Sequence, residues 1–424
     1  MITARAFAGK DYAVYGLARS GLATVEALLA SGASVTAWDA NEAARARTPD
    51  GSRIANLDEV DLASFHSLVV TPGLPLNRHP IAQRAERAGV EIIGDIELFA
   101  RARAELPPHK VIGITGTNGK STTTALIHHL LKTAGIPTTM GGNIGLPILA
   151  QDPLPEGGIY VLELSSYQID LTKSLRCEIA VLLNITPDHL DRYGGMEAYA
   201  ASKRRLFEMQ GEDGWAAISV LDPYCAAIAD KYGARGIELG REELEDQRHW
   251  PALQGPHNAQ NASAAMAVAR FLKIPDATVQ EALRTYPGLP HRMERVREKD
   301  GILFVNDSKA TNPTATAPAL AAFEKIRWIC GGLAKTDNLD ECAPHFGHVR
   351  KAYTIGEASE LFARLLSPHI SVAQCETLER AVGEAALEAE AGDTVLLSPA
   401  CASFDQFRDF EERGDRFRRL VGGL

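Results

Sequence analysis

Apolar and polar positions alternate along this chain in short blocks. Compact runs of four to seven apolar residues, each ending in a polar or glycine turn, are followed by segments whose apolar positions recur at helical spacing. "DYAVYG" reads as a strand, "SGLATVEALLASG" as a helix and "SVTAWD" as a strand. "SLVVTPG", residues 67–73, is a further strand closing in a turn. "AELPPHK", residues 104–110, carries two prolines between polar ends and reads as a linker. The pattern restarts at "VIGIT" and continues through "IYVLELS" and "IAVLLNIT", continuous apolar runs of the kind that parallel sheets bury on both faces. A charged stretch, "HRMERVREKDG", precedes the strand "ILFVNDS". "IRWICGG", "KAYTIG" and "DTVLLSP" follow, each separated by a helical segment. Strand–helix alternation in three blocks predicts an α/β chain of three domains. The first and last read as Rossmann-like and the central one as a mainly parallel sheet of the phosphate-loop type.

Composition narrows the class. A chain of 424 residues exceeds one ordinary domain. Its 45% hydrophobic and 23% charged residues are those of a globular protein. A net charge of −10 argues against a nucleic-acid partner, although a local loop and helix dipole can still hold a small anion. The six cysteines are scattered without a C-x-x-C pair, so neither a zinc site nor a disulfide framework is expected, and a reducing cytoplasm is the simplest setting. No signal-peptide core opens the chain and no 18-residue apolar run predicts a spanning helix.

The chemistry is densest at "VIGITGTNGKSTTTALIHHLL", residues 111–131, where a strand passes through a glycine loop into a helix. Gly116 and Gly119 let the backbone approach an anion, with Thr117 and Asn118 between them. Lys120 supplies a charge for β- and γ-phosphate oxygens, and Ser121 and Thr122 supply hydroxyls for Mg²⁺. The strict G-x-x-x-x-G-K-[ST] pattern would place glycine at Ile114, so only the second half matches. An ordinary strand–turn–helix connection is the bland alternative.

Other clusters stand against similar alternatives. "YGLARSG", residues 15–21, is G-x-A-x-x-G between a strand and a helix, with Asp39 closing the next strand. Ala18 puts a Cβ where a pyrophosphate needs close approach, which weakens a nicotinamide dinucleotide reading; a plain βαβ turn is the alternative. Glu163 ends a buried run and could ligate Mg²⁺ or cap a helix. "NITPDHLDRYG" sets Asp188, His189, Asp191 and Arg192 after a strand, where α/β ligand sites lie. Asn258 and Asn261, three apart behind His257, share a helix face and could cap or touch a nucleotide. "HRME", residues 291–294, and "NDSKATN", residues 306–312, are polar clusters at the second domain junction. Lys203, by composition, reads as a surface lysine. "SPACASFDQFRDFEERGDRF", residues 398–417, reads equally as an amphipathic helix.

Taken together, "TGTNGKS", "ELSSYQ", "NITPDHLDRY", "HNAQN", "HRME" and "NDSKATNP" occur in an order that resembles the Mur ligase family, the ATP-dependent amino-acid ligases of peptidoglycan synthesis. The resemblance covers nearly the whole chain, and Ile114 is a family trait. "LLSPACASFDQF" is similar to members that add D-glutamate to UDP-N-acetylmuramoyl-L-alanine. The resemblance implies a UDP-sugar-binding domain over 1–104, a central ATP-binding domain over 105–296 and an amino-acid-binding domain over 297–424. It implies ATP and Mg²⁺, two ions, a cytoplasmic monomer, no membrane insertion, and an acyl-phosphate intermediate. Lys120 would hold phosphates; Ser121, Glu163 and His189 would serve Mg²⁺, with Lys203 carbamylated as a further ligand. Lys120, His189 and Lys203 would be the catalytic set. Asn258, Asn261, Arg292 and Asp307 would contact the ATP base and ribose. Arg19, Ser20, Asp39, Thr71 and Asn143 would surround the UDP-sugar, and Ser165 and Lys309 would also touch substrate. Thr311, Lys335, Ser403 and Phe410 would frame the glutamate; Leu333 stands where relatives often carry an aspartate. A ligase for another amino acid, a folylpolyglutamate-type ligase, an NAD-dependent oxidoreductase and a non-catalytic nucleotide-binding scaffold are the competing readings.

Overall fold

The short apolar runs do become strands, and they assemble into three separate sheets. The computed structural model describes residues 1–232, 236–239 and 247–424. The first sheet comprises β1 (Asp11–Tyr15), β2 (Ser34–Trp38), β3 (Arg53–Ile54), β4 (Ser67–Val70) and β5 (Glu91–Ile93), all parallel, in the order β3-β2-β1-β4-β5. Strand order reverses between β1 and β4, so loops diverge at their carboxyl ends and leave a crevice there. The second sheet comprises β6 (His109–Thr115), β7 (Thr138–Gly142), β8 (Gly158–Glu163), β9 (Ile179–Leu182), β10 (Trp215–Ser219) and β11 (Gly236–Leu239), parallel throughout, in the order β11-β10-β9-β6-β8-β7. β8 and β9 are buried at every position, in keeping with apolar sequences that only Glu163, at the end of β8, interrupts.

The third sheet contains β12 (Glu294–Lys299), β13 (Ile302–Asn306), β14 (Ile326–Gly331), β15 (Val349–Ile355), β16 (Ser371–Glu376) and β17 (Thr394–Leu397), ordered β12-β13-β17-β14-β15-β16. It is parallel except for β12, which pairs antiparallel with β13. This edge strand is the stretch whose charge made it read as a junction. Asp300 and Gly301, at φ 53° and 74°, form the two-residue turn that antiparallel strands favour. The charged side chains of β12 stay partly or wholly exposed and protect the sheet edge from pairing with another chain. The linker expectation is also adjusted: β6 starts at His109, because the backbones of His109 and Lys110 already pair with Gly158 and Ile159.

By packing, the chain forms two units, Met1–Glu243 with Ser263–Ala282, and Leu244–Ala262 with Leu283–Leu424. The first contains both all-parallel sheets and the second contains the mixed one. Within the first unit a charged network ties the region of the first sheet to that of the second. Glu97, 1% exposed, accepts from the backbone N–H groups of Lys173 and Ser174 at 2.7 and 2.8 Å, from Ser174 Oγ at 2.9 Å and from Arg101 Nε at 2.8 Å. Arg101 also holds Glu91 at 2.6 Å, and Lys173 Nζ reaches the same carboxylate at 2.9 Å. All six cysteines are buried free thiols. Among the described residues no helix is long and apolar enough to cross a membrane.

Removing the Glu97 carboxylate strands several buried donors at once, a loss of roughly 3 kcal/mol. Glu97→Ala is therefore expected to lower the urea midpoint of the unit that contains it, while Glu97→Gln loses less; equal midpoints for the Ala variant and the parent would contradict the packing role.

Candidate active site

The loop after β6 is shaped by its glycines. Gly119 adopts φ 84° just before the helix Lys120–Thr133, a left-handed conformation that glycine takes without strain. A Cβ on Gly116 would come 3.1 Å from Leu183 Cβ and 3.3 Å from Asn184 N, so this residue must be small to lie against the segment after β9. That segment holds the loop in turn: Thr117 N donates to Asn184 O at 2.8 Å, Asn118 N to Asn184 Oδ1 at 2.7 Å, and Thr186 N to Thr117 Oγ1 at 3.0 Å. Ser121 is buried in the first helical turn, and Thr122 beside it is half-buried.

Two lysines meet over this loop. Lys120 Nζ donates to Gly116 O at 3.0 Å and to Thr117 O at 2.7 Å. Lys203, on the helix Met196–Glu208, donates to the same Gly116 O at 2.7 Å. Lys203 is 1% exposed, so the surface reading drawn from composition is overturned: its helix turns it inward onto the phosphate-type loop. Burial first, and then the neighbouring Lys120 charge, push its amine well below the ordinary lysine range. Its Nζ lies 4.5 Å from the centre of the Tyr199 ring, and the Tyr199 hydroxyl is 3.2 Å from Thr117 Oγ1.

Glu163 ends β8 beside Ile114 and is 2% exposed. Its Oε1 accepts from Asn143 Nδ2 at 3.0 Å, whereas Oε2 is buried without a hydrogen-bond partner. Gly142 makes this possible, since a Cβ there would lie 2.1 Å from Glu163 O. His189 follows β9 at φ 53° and faces Asp188 Oδ2 at 3.4 Å. Burial lowers its pKa and Asp188 opposes that; the charges of Lys203 and Lys120 lower it further, which places all three groups within electrostatic reach. Tyr167 packs 4.7 Å from the His189 ring and carries the Arg192 guanidinium at 4.0 Å on its face. Tyr193 completes the aromatic group, 5.4 Å from Tyr199. Sequence reasoning missed these tyrosines; the available signal was Tyr199 four residues before Lys203, one turn along the same helix face.

The first sheet gathers Arg19, Ser20, Asp39 and Thr71 at the carboxyl ends of β1, β2 and β4. A Cβ on Gly21 would strike Gly16 O at 1.9 Å, so the helix Arg19–Ala30 can approach β1 only with glycine there. Its N-cap, Ala18, offers no side-chain cap. Both Asp39 oxygens accept backbone N–H groups, from Leu17 at 2.7 Å and from Asn41 at 2.8 Å. Thr71 N donates to Tyr15 O at 3.1 Å. Arg19 Nη2 reaches Gly145 O at 2.8 Å, two residues past Asn143, which brings this cluster to the edge of the second sheet. Ser165 is engaged as a helix cap: its Oγ accepts from Gln168 N at 3.2 Å in a capping box.

The remaining expected residues lie in the second unit. Asn258 and Asn261 are buried on one helix face, linked by Asn261 Nδ2 to Asn258 Oδ1 at 3.0 Å, and Asn258 Nδ2 donates to Gln254 O at 3.0 Å. Asp307, just past β13, accepts from Ser398 Oγ at 2.8 Å and from Met293 N at 3.2 Å. Burial pushes its pKa up to about 7, with the Arg292 charge opposing. Lys335 Nζ donates to Thr311 Oγ1 at 3.4 Å, and Lys309 sits 3.8 Å over the Phe410 ring. Ser403 is buried after β17. Arg413, which sequence reasoning did not single out, is buried among these loops.

The profile of the Mur ligase middle domain matches residues 114–250, and that of the Mur ligase glutamate ligase domain matches residues 291–401. A protein of Novosphingobium aromaticivorans named UDP-N-acetylmuramoylalanine–D-glutamate ligase is 59% identical over 100% of this chain and 97% of its own length. Proteins of the same name from Sphingopyxis alaskensis and Zymomonas mobilis are 57% and 55% identical, each with full coverage of both chains. Among solved structures, UDP-N-acetylmuramate-alanine ligase MurC of Thermotoga maritima matches with a TM-score of 0.61 at 18% identity, covering 98% of this chain and 99% of that one. MurF ligase of Thermotoga maritima in complex with ADP matches with a TM-score of 0.61 at 17% identity, covering 99% and 97%. At such identities the structures speak to the fold.

The raised Asp307 pKa carries a sign. Between the ordinary carboxyl value of 3.8 and about 7 the folded state keeps a proton that the unfolded state has lost, so this group's stabilising contribution falls as pH rises through that window. Asp307→Asn keeps both hydrogen-bonding positions and removes the titration. Its melting temperature relative to the parent is expected to climb from pH 4 to pH 7.5; a constant difference across that range would refute the assignment.

Proposed function

This chain belongs to the Mur ligase family, and we propose that it joins D-glutamate to UDP-N-acetylmuramoyl-L-alanine at the expense of ATP. The observation that carries the reading is the meeting of Lys120 and Lys203 on Gly116 O, beside the unpartnered Glu163 oxygen, in a chain whose full-length relatives bear that enzyme's name.

In this reading the sugar nucleotide lies along Arg19, Ser20, Asp39 and Thr71 and reaches Asn143 with its lactoyl-alanine end, where Ser165 also lies. The terminal carboxylate attacks the γ-phosphorus of ATP, the bond to ADP breaks, and an acyl phosphate forms. The amine of D-glutamate then attacks the acyl carbon; phosphate departs, the amine loses its proton, and an amide remains. Such chemistry needs position and charge neutralisation more than reactive side chains. Gly116, Thr117, Asn118, Gly119, Ser121 and Thr122 would cradle the phosphates while Lys120 swings its ammonium from the loop carbonyls to the β- and γ-oxygens. Asn258, Asn261, Arg292 and Asp307 would hold the base and ribose, and Lys309, Thr311, Lys335, Ser403 and Phe410 the amino acid.

Mg²⁺ fits the residues present. A buried carboxylate oxygen without a donor suits a cation, Ser121 adds a hydroxyl and His189 an imidazole whose neutral form burial favours. Among the described residues no three His, Cys, Asp or Glu side chains converge, so phosphate oxygens would complete the shell. One or two ions, when bound, supply charge neutralisation for the transferring phosphoryl group. Lys203 suits carbamylation, because CO₂ adds only to a neutral amine and burial beside Lys120 favours that form. The carbamate would be a carboxylate-like ligand in place of a cation. A division into three domains is in keeping with three separate sheets, with the last domain starting before 297, since β12 (Glu294–Lys299) belongs to the third sheet; a monomer in the cytoplasm is the simplest setting for these substrates.

The first test is phosphate release by the purified protein with Mg-ATP and the sugar nucleotide, adding D-glutamate or L-glutamate in parallel. Release that needs both the sugar nucleotide and D-glutamate is expected. Release with a different amino acid would retain the reaction and move the substrate; ATP binding without turnover would overturn the enzyme reading. Lys120→Ala and Lys203→Ala are each expected to lose about a thousandfold or more in kcat. Bicarbonate should not rescue Lys203→Ala, and full activity in that variant would remove the carbamate role.

A further inference from the structure

Arg413 sits on the helix Phe410–Gly422 and is 1% exposed. Its guanidinium donates only to neutral oxygens: Nε to Ser308 Oγ at 3.0 Å, Nη2 to Ser308 O at 2.9 Å and Cys401 O at 3.1 Å, and Nη1 to Ala402 O at 3.3 Å. It forms no ion pair among the described residues. The acid nearest in influence, Asp405, has its Oδ2 taken by Glu357 N at 2.9 Å, and its Oδ1 is buried without a hydrogen-bond partner. Burial lowers the Arg413 pKa to about 10, which leaves it charged at neutral pH.

A desolvated cation without a counter-ion is a liability for stability, and its hydrogen bonds alone could be supplied by a neutral group. Its place explains it better. Ser308 follows β13, Cys401 and Ala402 follow β17, and a Cβ on Gly332 after β14 would come 3.2 Å from Nη1. These are adjacent strands, and their carboxyl ends are where α/β sheets take ligands. Lys335, Arg413 and Asp405 all lie within electrostatic reach of the Cys401 thiol.

We propose that Arg413 determines specificity for an acidic amino acid: its unpaired charge attracts the substrate's side-chain carboxylate through space. This rests on the reading above that Lys335, Thr311 and Ser403 frame D-glutamate. Solvent screens a buried charge only weakly, so the field of Arg413 acts beyond contact distance. Asp405 opposes that field and tunes it down.

The experiment measures KM for D-glutamate and the inhibition constant of D-glutamine, its neutral isostere, in the full-length enzyme. Arg413→Met is expected to raise KM for D-glutamate about tenfold and leave D-glutamine inhibition within about twofold. Asp405→Asn, which retains the acceptor for Glu357 N, should lower KM for D-glutamate about threefold, again with D-glutamine unmoved. If Arg413→Met fails to fold, the Asp405→Asn shift decides. Parallel weakening of both ligands, or an unmoved KM in Asp405→Asn, overturns the proposal while ligation by the parent enzyme stands. A parent enzyme that ligates no D-glutamate overturns the functional reading itself, and this proposal with it.

Discussion

Two lysine amines share one carbonyl oxygen, that of Gly116, and much of the first unit follows from accommodating them. Two ammonium groups so close, one of them buried, repel through a poorly screening medium. The arrangement is relieved when Lys203 gives up its proton, and its depressed pKa expresses that preference. The surroundings keep the geometry in place. Asn184 and Thr186 pin the loop from the neighbouring strand's end, and Tyr199 covers the Lys203 amine while touching Thr117. A buried amine whose neutral form is favoured, beside a cationic one, is a poor device for stability and a good one for chemistry, since each can respond differently to phosphate.

The same economy recurs in the second unit with the opposite sign of group. Asp307 is fully buried, bonded to Ser398 and Met293, and held partly protonated near neutrality by its surroundings. Arg413 is buried with only neutral acceptors. Both occur where strands of the third sheet end, and both link loops far apart in the chain. Buried charges left in this state destabilise a fold unless a ligand meets them, which is why they cluster at functional ends of sheets rather than in ordinary cores.

Short-range physics made a large part of this protein readable from its amino acids. Continuous apolar runs such as 159–164 and 179–183 had to be strands covered on both faces, and they are β8 and β9. The glycine loop before Lys120 had to be a strand–loop–helix turn, because residues a few positions apart decide it. Motif order placed the chain among its relatives before any geometry was known. What local pattern could not give was burial. Lys203 sits in a polar stretch, "ASKRRLFE", and only the packing of its helix against the loop at Gly116, 87 residues earlier, makes it an interior group. The charged run at 294–299 is an edge strand because β13 offers it a partner, a fact absent from its own composition. Arg413 looks like one arginine among several on an amphipathic helix until the ends of β13, β17 and β14 close around it. Periodicity and turn chemistry are properties of neighbours along the chain, so the sequence by itself determined the fold class, the three sheets' principal strands and the phosphate-type loop. Desolvation and electrostatics depend on groups separated by tens to hundreds of residues, so only the tertiary structure decided which charges are buried, which oxygens lack partners and where the chemistry is concentrated.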